Sequence, residues 1–121
     1  MKLVIVTNNY PPVLDGVGDH SFFLSEELKR QGHTVYIICS KKKEIINRGY
    51  NNVFSIVEKW NGTGFKIAIK RIKLLQPDFV LLQYVPYGFQ RIGLPLRIPL
   101  FVRTLSKNGL AVIIHFHEMF V

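Results

Sequence analysis

Three segments of this chain carry residue types that could do chemistry. The first is Asp15-Gly16-Val17-Gly18-Asp19-His20. It closes a long loop that follows an apolar run at residues 3–6, and it leads into a helical stretch. Gly16 and Gly18 permit positive φ and close backbone approach. The first amides of a helix lack intrahelical partners and, with the helix dipole, attract a phosphate or a carboxylate. Two glycines also suit plain turn geometry. The dinucleotide fingerprint needs G-x-G-x-x-G in a tight turn directly after the strand. Here Pro11 and Pro12 lie between Thr7 and Gly16, and no third glycine stands in place. Walker A is absent.

The second segment runs from Gln83 to Pro95. Tyr84, Tyr87 and Phe89 offer stacking faces, and Gln83, Gln90 and Arg91 offer polar contacts. Aromatic faces with a few polar groups suit a sugar or a lipid-linked ligand. Alternatively, the segment is a Pro/Gly-rich connection whose aromatics fill the edge of the core. The third segment is His115-Phe116-His117-Glu118. Alternation puts His115 and His117 on one side of an extended strand. A neutral His beside a Glu can orient a hydroxyl or exchange a proton with it; a satisfied polar pair at a sheet edge is the other reading. A metal site is disfavoured, because His20 and His33 are distant in sequence and Cys39 is the single cysteine. His20, beside the glycine loop, is within reach of a ligand phosphate or hydroxyl. His33, after the helix-ending Gly32, reads as structural.

The elements that must position these segments alternate. Strand-like runs recur at residues 3–6, 34–39, 52–57, 79–83 and 110–116, with helical runs between most of them. Such alternation predicts an α/β fold: a Rossmann-like, doubly wound, mostly parallel sheet with helices on both faces. The strands are nearly continuously apolar, as expected when both faces are covered. The first helix is expected over 20–31, with Asp19 as N-cap and Gly32 after its end. Its core stripe is Ser21, Leu24 and Leu28, extended backwards by Val17. The second is expected over 63–76, with Phe65, Ala68, Ile69, Ile72 and Leu75 facing the core. Lys66, Lys70 and Lys73 share another face, with Ile67 and Leu74 beside it. That face is either solvated, with its two aliphatics packed on a neighbour, or suited to an anionic membrane surface. A third helix begins between Pro95 and Pro99 and ends near residues 107–109. All three chemical segments then leave strands at the same end of the sheet, which is where open α/β folds bind ligands.

The chain has 121 residues, enough for one domain with a substantial core. Its 16 Lys and Arg against 8 Asp and Glu give a net charge of +8. That balance favours anionic partners such as phosphorylated ligands or lipid headgroups, or simply serves solubility. No nucleic-acid motif accompanies the charge, so nucleic acid is not an expected partner. A single cysteine rules out an intramolecular disulfide and, in apolar surroundings, reads as a buried thiol. No signal peptide is visible, and no apolar run reaches the roughly 18 residues that span a bilayer. The expected location is cytoplasmic, and peripheral contact with the inner face of the membrane is an open alternative.

Five stretches, in order, resemble one family. They are Tyr10-Pro-Pro-Val-Leu-Asp-Gly-Val-Gly18, Leu28-Lys-Arg-Gln-Gly-His33, the strand at 34–39, Gln83-Tyr-Val-Pro-Tyr87 and His115-Phe-His-Glu118. Together they look like the N-terminal Rossmann-like domain of GT-B glycosyltransferases, closest to family 4, also called group 1. The resemblance covers nearly the whole chain. It implies a hexosyltransferase-like enzyme that moves a sugar from a nucleotide-sugar donor to a carbohydrate or lipid-linked acceptor, with retention and without an essential metal or other cofactor. On that resemblance, Gly16, Val17 and Gly18 lie near the donor diphosphate and His117 lies near the donor sugar. Glu118 orients His117 or an acceptor hydroxyl. Asp15, His20, Tyr84, Tyr87 and Arg91 are on the acceptor side. Many members have Gly-Gly where this chain has Asp15-Gly16, and the Asp15 charge would repel a diphosphate. The resemblance also implies a C-terminal domain with most of the nucleotide pocket. Residues 1–121 are therefore expected to be a truncated acceptor-side domain, inactive alone. The rival expectation is a non-catalytic module that binds anionic membrane or a phosphorylated ligand.

Overall fold

Five parallel strands form the centre of the fold, in the order β3-β2-β1-β4-β5. The computed structural model describes residues 1–84 and 97–116. In chain order the elements are β1 (Lys2–Val6), α1 (Gly16–Arg30), β2 (Thr34–Ser40), α2 (Lys43–Arg48), β3 (Val53–Val57), α3 (Gly62–Leu75), β4 (Phe79–Tyr84), α4 (Arg97–Lys107) and β5 (Ala111–Phe116). The Rossmann-like, doubly wound reading of the sequence is the observed architecture.

The central strands form where β-branched and aliphatic residues run without a break, because both of their faces are covered; on the edge strand β5, Ile113 is half-exposed. Val4, Ile5 and Val6 are all fully buried. Alternation divides them between two cores. Val4 and Val6 pack with Ile38, Val80 and Leu82 against Phe65, Ala68 and Ile72 of α3 and Phe101 and Leu105 of α4. Ile5 packs with Val35, Ile37 and Cys39 against Phe22, Leu24 and Leu28 of α1 and Ile45 of α2. Helices α1 and α2 thus cover one face, and α3 and α4 the other.

The order reverses beside β1. The chain leaving β1 crosses one face through α1 to reach β2, while α4, on the opposite face, precedes β5. A crevice therefore opens at the carboxyl ends of β1 and β4, the usual ligand position in such sheets.

Three details differ from the sequence reading. Helix α1 begins at Gly16, not His20, and Asp15 rather than Asp19 is its N-cap. Its fully buried line is Gly18, Ser21 and Ser25, while Val17, Leu24 and Leu28 are half-buried. Small residues on that line let the helix axis approach the sheet. The short helix α2 was not foreseen; one turn and a half, with no side-chain cap on Lys42, leaves little periodicity to read. For α3 the expected stripe holds, with Phe65, Ala68 and Ile72 buried and Ile69 and Leu75 packed against the core. Neither Ile67 nor Leu74 joins the core clusters: they are 39% and 73% exposed.

Candidate functional site

The loop between β1 and α1 builds one wall of the crevice. Polar residues begin at the last turn of the strand: Thr7 is fully buried, and its hydroxyl donates to the Asn9 carbonyl at 3.3 Å. The loop is pinned at several points. The Ser40 amide donates to the Asn8 carbonyl at 2.9 Å, and the Ser40 hydroxyl donates to Asn8 Oδ1 at 2.6 Å. Trp60 Nε1 donates to the same Ser40 hydroxyl oxygen at 2.8 Å, tying the loop to the segment before α3. Tyr10 is buried between Phe22 and Tyr50, with ring centroids 5.9 and 5.4 Å away. Burial pushes its phenol pKa up, because a phenolate there would lose its hydration. Tyr50 donates its hydroxyl to the Pro11 carbonyl at 3.0 Å. The loop is therefore a fixed platform, with Leu14 projecting 96% exposed at its tip.

Asp15 closes this platform. Its Oδ1 accepts from the amides of Val17 at 2.8 Å and Gly18 at 3.1 Å, and its Oδ2 accepts from Asn9 Nδ2 at 2.9 Å. The Asp19 amide donates to the Asp15 carbonyl at 2.9 Å. The carboxylate thus occupies two of the amides that the sequence offers to an external anion. A ligand phosphate reaches the Val17 and Gly18 amides only by displacing it. Gly16 and Gly18 differ in kind. A Cβ on Gly16 meets nothing within 4 Å, whereas a Cβ on Gly18 would stand 2.8 Å from the Asn9 carbonyl oxygen. Gly18 lets the loop lie against the helix; Gly16 leaves the surface open.

The second wall comes from β4 and β5. Gln83, fully buried, pairs in register with His115. Both lie on the α1 side of the sheet, the side of Ile5 and Leu81. His115 meets His20 of the first α1 turns, their ring centroids 5.5 Å apart at 65°. Both histidines are exposed at the mouth of the crevice. Residues 95 positions apart in the chain thus share one rim. The arrangement offers two imidazoles, able to donate, accept or exchange protons with a ligand hydroxyl or phosphate.

Of the residues expected at the site, Asp15 caps α1, Gly16, Val17, Gly18 and His20 form its first turns, and His20 meets His115. Tyr84 ends β4 by its backbone. The Tyr84 side chain, Tyr87, Arg91, His117 and Glu118 lie outside the described residues. Sequence reasoning missed Asn9 and the Asn8–Ser40–Trp60 chain; the polar run Thr7-Asn8-Asn9 directly after an apolar strand was the available signal. Among the described residues, no group of three or more His, Cys, Asp or Glu side chains could hold a metal ion. No helix among them is long and apolar enough to cross a membrane. His33, read as structural, contacts the chain's first residue: Met1 N lies 3.2 Å from its Nδ1.

No protein-family model matches the chain, and no curated protein matches it.

Proposed function

We infer that this chain is the acceptor-side domain of a glycosyltransferase that uses a nucleotide-sugar donor. The observation that carries the reading is the juxtaposition of His20 and His115. It joins the rim of the glycine loop to β5, which ends in His115-Phe116 and leads in sequence to His117-Glu118, and so brings together two of the five segments that carry the family resemblance. The rigid β1–α1 loop supports it as well, since a transferase must hold two substrates in fixed relation.

In this reading the crevice binds the acceptor, and a hydroxyl of that acceptor is the nucleophile. His20 holds the acceptor by a hydrogen bond. His117 contacts the donor sugar and Glu118 orients it. The Asp15 carboxylate is the resident anion of the helix terminus, so the donor diphosphate takes most of its contacts from a donor domain. Asp15 then acts by fixing Asn9 and the loop, and presents its outer lone pairs to an acceptor hydroxyl.

The test has two parts. The chain is titrated with a panel of nucleotide-sugars and simple glycosides, following the imidazole resonances of His20 and His115 by NMR. Glycosides should shift both rings, and nucleotide-sugars should bind weakly. The complete gene product is then assayed for sugar transfer. His117→Ala should lower its turnover by roughly tenfold or more while the fold survives. No response to any glycoside, together with no transfer by the complete product, sinks the reading.

A further inference from the structure

The positive charge of this protein is not spread over its surface. Helix α3 carries Lys66, Lys70, Arg71 and Lys73 and no acidic residue. Helix α4 carries Arg97, Arg103 and Lys107, again with no acidic residue. On the other face of the sheet, α1 and α2 together carry four acidic and four basic residues, which cancel. The α3–α4 layer thus holds seven of the excess charges in a chain whose net charge is +8. Among the described residues the salt bridges are Lys29–Glu26, Arg30–Glu27 and Lys41–Glu58, and none involves α3 or α4. Lys66, Lys70, Lys73, Arg103 and Lys107 are all exposed.

The same surface projects aliphatic side chains. Leu74 is 73% exposed, Leu100 57% and Ile67 39%. Ile67 and Leu74 are seven residues apart, two turns along one line of α3, with Lys70 between them. Leu100 is the exposed aliphatic of α4, beside Lys66 and Ile69 of α3, with Arg103 and Lys107 on the following turns of its own side. Between the helices lies a groove of about 160 Å³ lined by Phe65, Ile69, Leu100 and Phe101, with Lys66 at its edge. Helices α3 and α4 are held together beneath it by Phe65 and Phe101, ring centroids 5.1 Å apart.

We propose that the α3–α4 face docks on an anionic lipid bilayer. Lys66, Lys70, Lys73, Arg103 and Lys107 engage headgroup phosphates, and Ile67, Leu74 and Leu100 enter the headgroup–acyl boundary. Charge complementarity selects an anionic partner, and the aliphatics select a membrane over a nucleic acid. Exposed leucines gain by leaving water for the acyl boundary. Surfaces that bind single-stranded nucleic acid instead interleave their cations with aromatic stacking platforms. The face lies across the sheet from His20 and His115, so docking leaves the crevice accessible, and docking and ligand binding are separable properties.

The test is co-sedimentation of the chain with vesicles of phosphatidylcholine alone and of phosphatidylcholine with phosphatidylglycerol. Binding is expected only to the anionic vesicles and should weaken as salt rises. The variant Lys66→Gln/Lys70→Gln/Lys73→Gln should partition roughly 100-fold more weakly. A control of equal charge change on the other face, Lys42→Gln/Lys43→Gln/Arg48→Gln, should lose far less. Leu74→Ser, which alters no charge, should weaken vesicle binding by about tenfold and leave any binding to duplex DNA unchanged. Far-UV circular dichroism checks that each variant is folded. Equal binding to neutral vesicles, no binding at low salt, or equal losses from the two triple variants overturns the proposal. So does a Leu74→Ser variant that binds vesicles like the parent, which would mark the face as a general polyanion surface.

Discussion

Gly16 and Gly18 sit two residues apart in one helical turn and face different surroundings. A methyl on Gly18 would be driven into the Asn9 backbone, 2.8 Å from its carbonyl oxygen, and neither partner is a flexible side chain. Gly18→Ala should therefore destabilise the fold by about 1–3 kcal/mol, the usual range for overpacking. Gly16→Ala meets no neighbour within 4 Å and lies at the first position of α1. It should leave stability unchanged or raise it by up to about 1 kcal/mol. Urea unfolding of the two variants distinguishes them; equal effects would mean that the loop does not lie against α1. Asp15→Ala should cost about 1 kcal/mol through the lost cap, and Asn9 would lose its partner as well. The free amides of the glycine loop were legible in the sequence, but their occupant was not. An Asp placed directly before the first helical residue competes for those amides against any external anion, and only the start of the helix reveals which carboxylate it is.

At the scale of elements, the strands were legible because each is apolar on both faces, and the structure extends or trims them by one residue at most. Helix α3 was legible because five core residues recur at helical spacing and Pro77 follows its end. The start of α1 was not, since Gly16 and Gly18 have low helix propensity and Asp19 is itself a good cap residue. What fixes the start is tertiary: Asp15 is held by Asn9, and Asn9 by the pinned loop. A similar close approach sets the start of α3. A Cβ on Gly64 would stand 1.8 Å from the Lys59 carbonyl oxygen and 3.0 Å from a Val57 methyl. Asn61 caps the helix by accepting from the Gly64 amide at 2.9 Å. Gly64→Ala must shift the 59–61 segment, and with it Trp60, which donates to Ser40. The expected cost is roughly 3 kcal/mol or more, well above Gly16→Ala. Trp60 is the only tryptophan and is 5% exposed, so its emission reports the change directly. Emission as blue-shifted as the parent's, with an unchanged unfolding midpoint, would contradict this packing.

For the whole molecule, the five-strand order could not be read from periodicity, which carries no information about which strands are neighbours. It follows from right-handed crossovers and from which helix covers which face. That order matters because it sets β1 beside β4 and so brings a histidine of α1 to a histidine of β5. It also buries β2, with Cys39, at the centre of one face. The Cys39 thiol is fully buried, and burial pushes its pKa from 9.0 up to about 12. Tyr10, in the same core, is pushed up from 10.0. In the unfolded chain both groups regain their ordinary values. Above pH 9 the unfolded chain therefore loses protons that the native protein keeps, and stability falls as pH rises. The contribution is fully present below pH 9 and is lost progressively between pH 9 and about 12. Each group adds a slope of at most about 1.4 kcal/mol per pH unit within its window. Urea midpoints measured from about pH 8 to about pH 11 should decline, and Cys39→Ala should flatten the first part of that decline and leave the later part, owed to Tyr10. A parallel decline in the parent and the variant would show that the thiol is not held in a dry core. In that case the packing of α1 and α2 against β2, which also supports the His20 rim, would be looser than described.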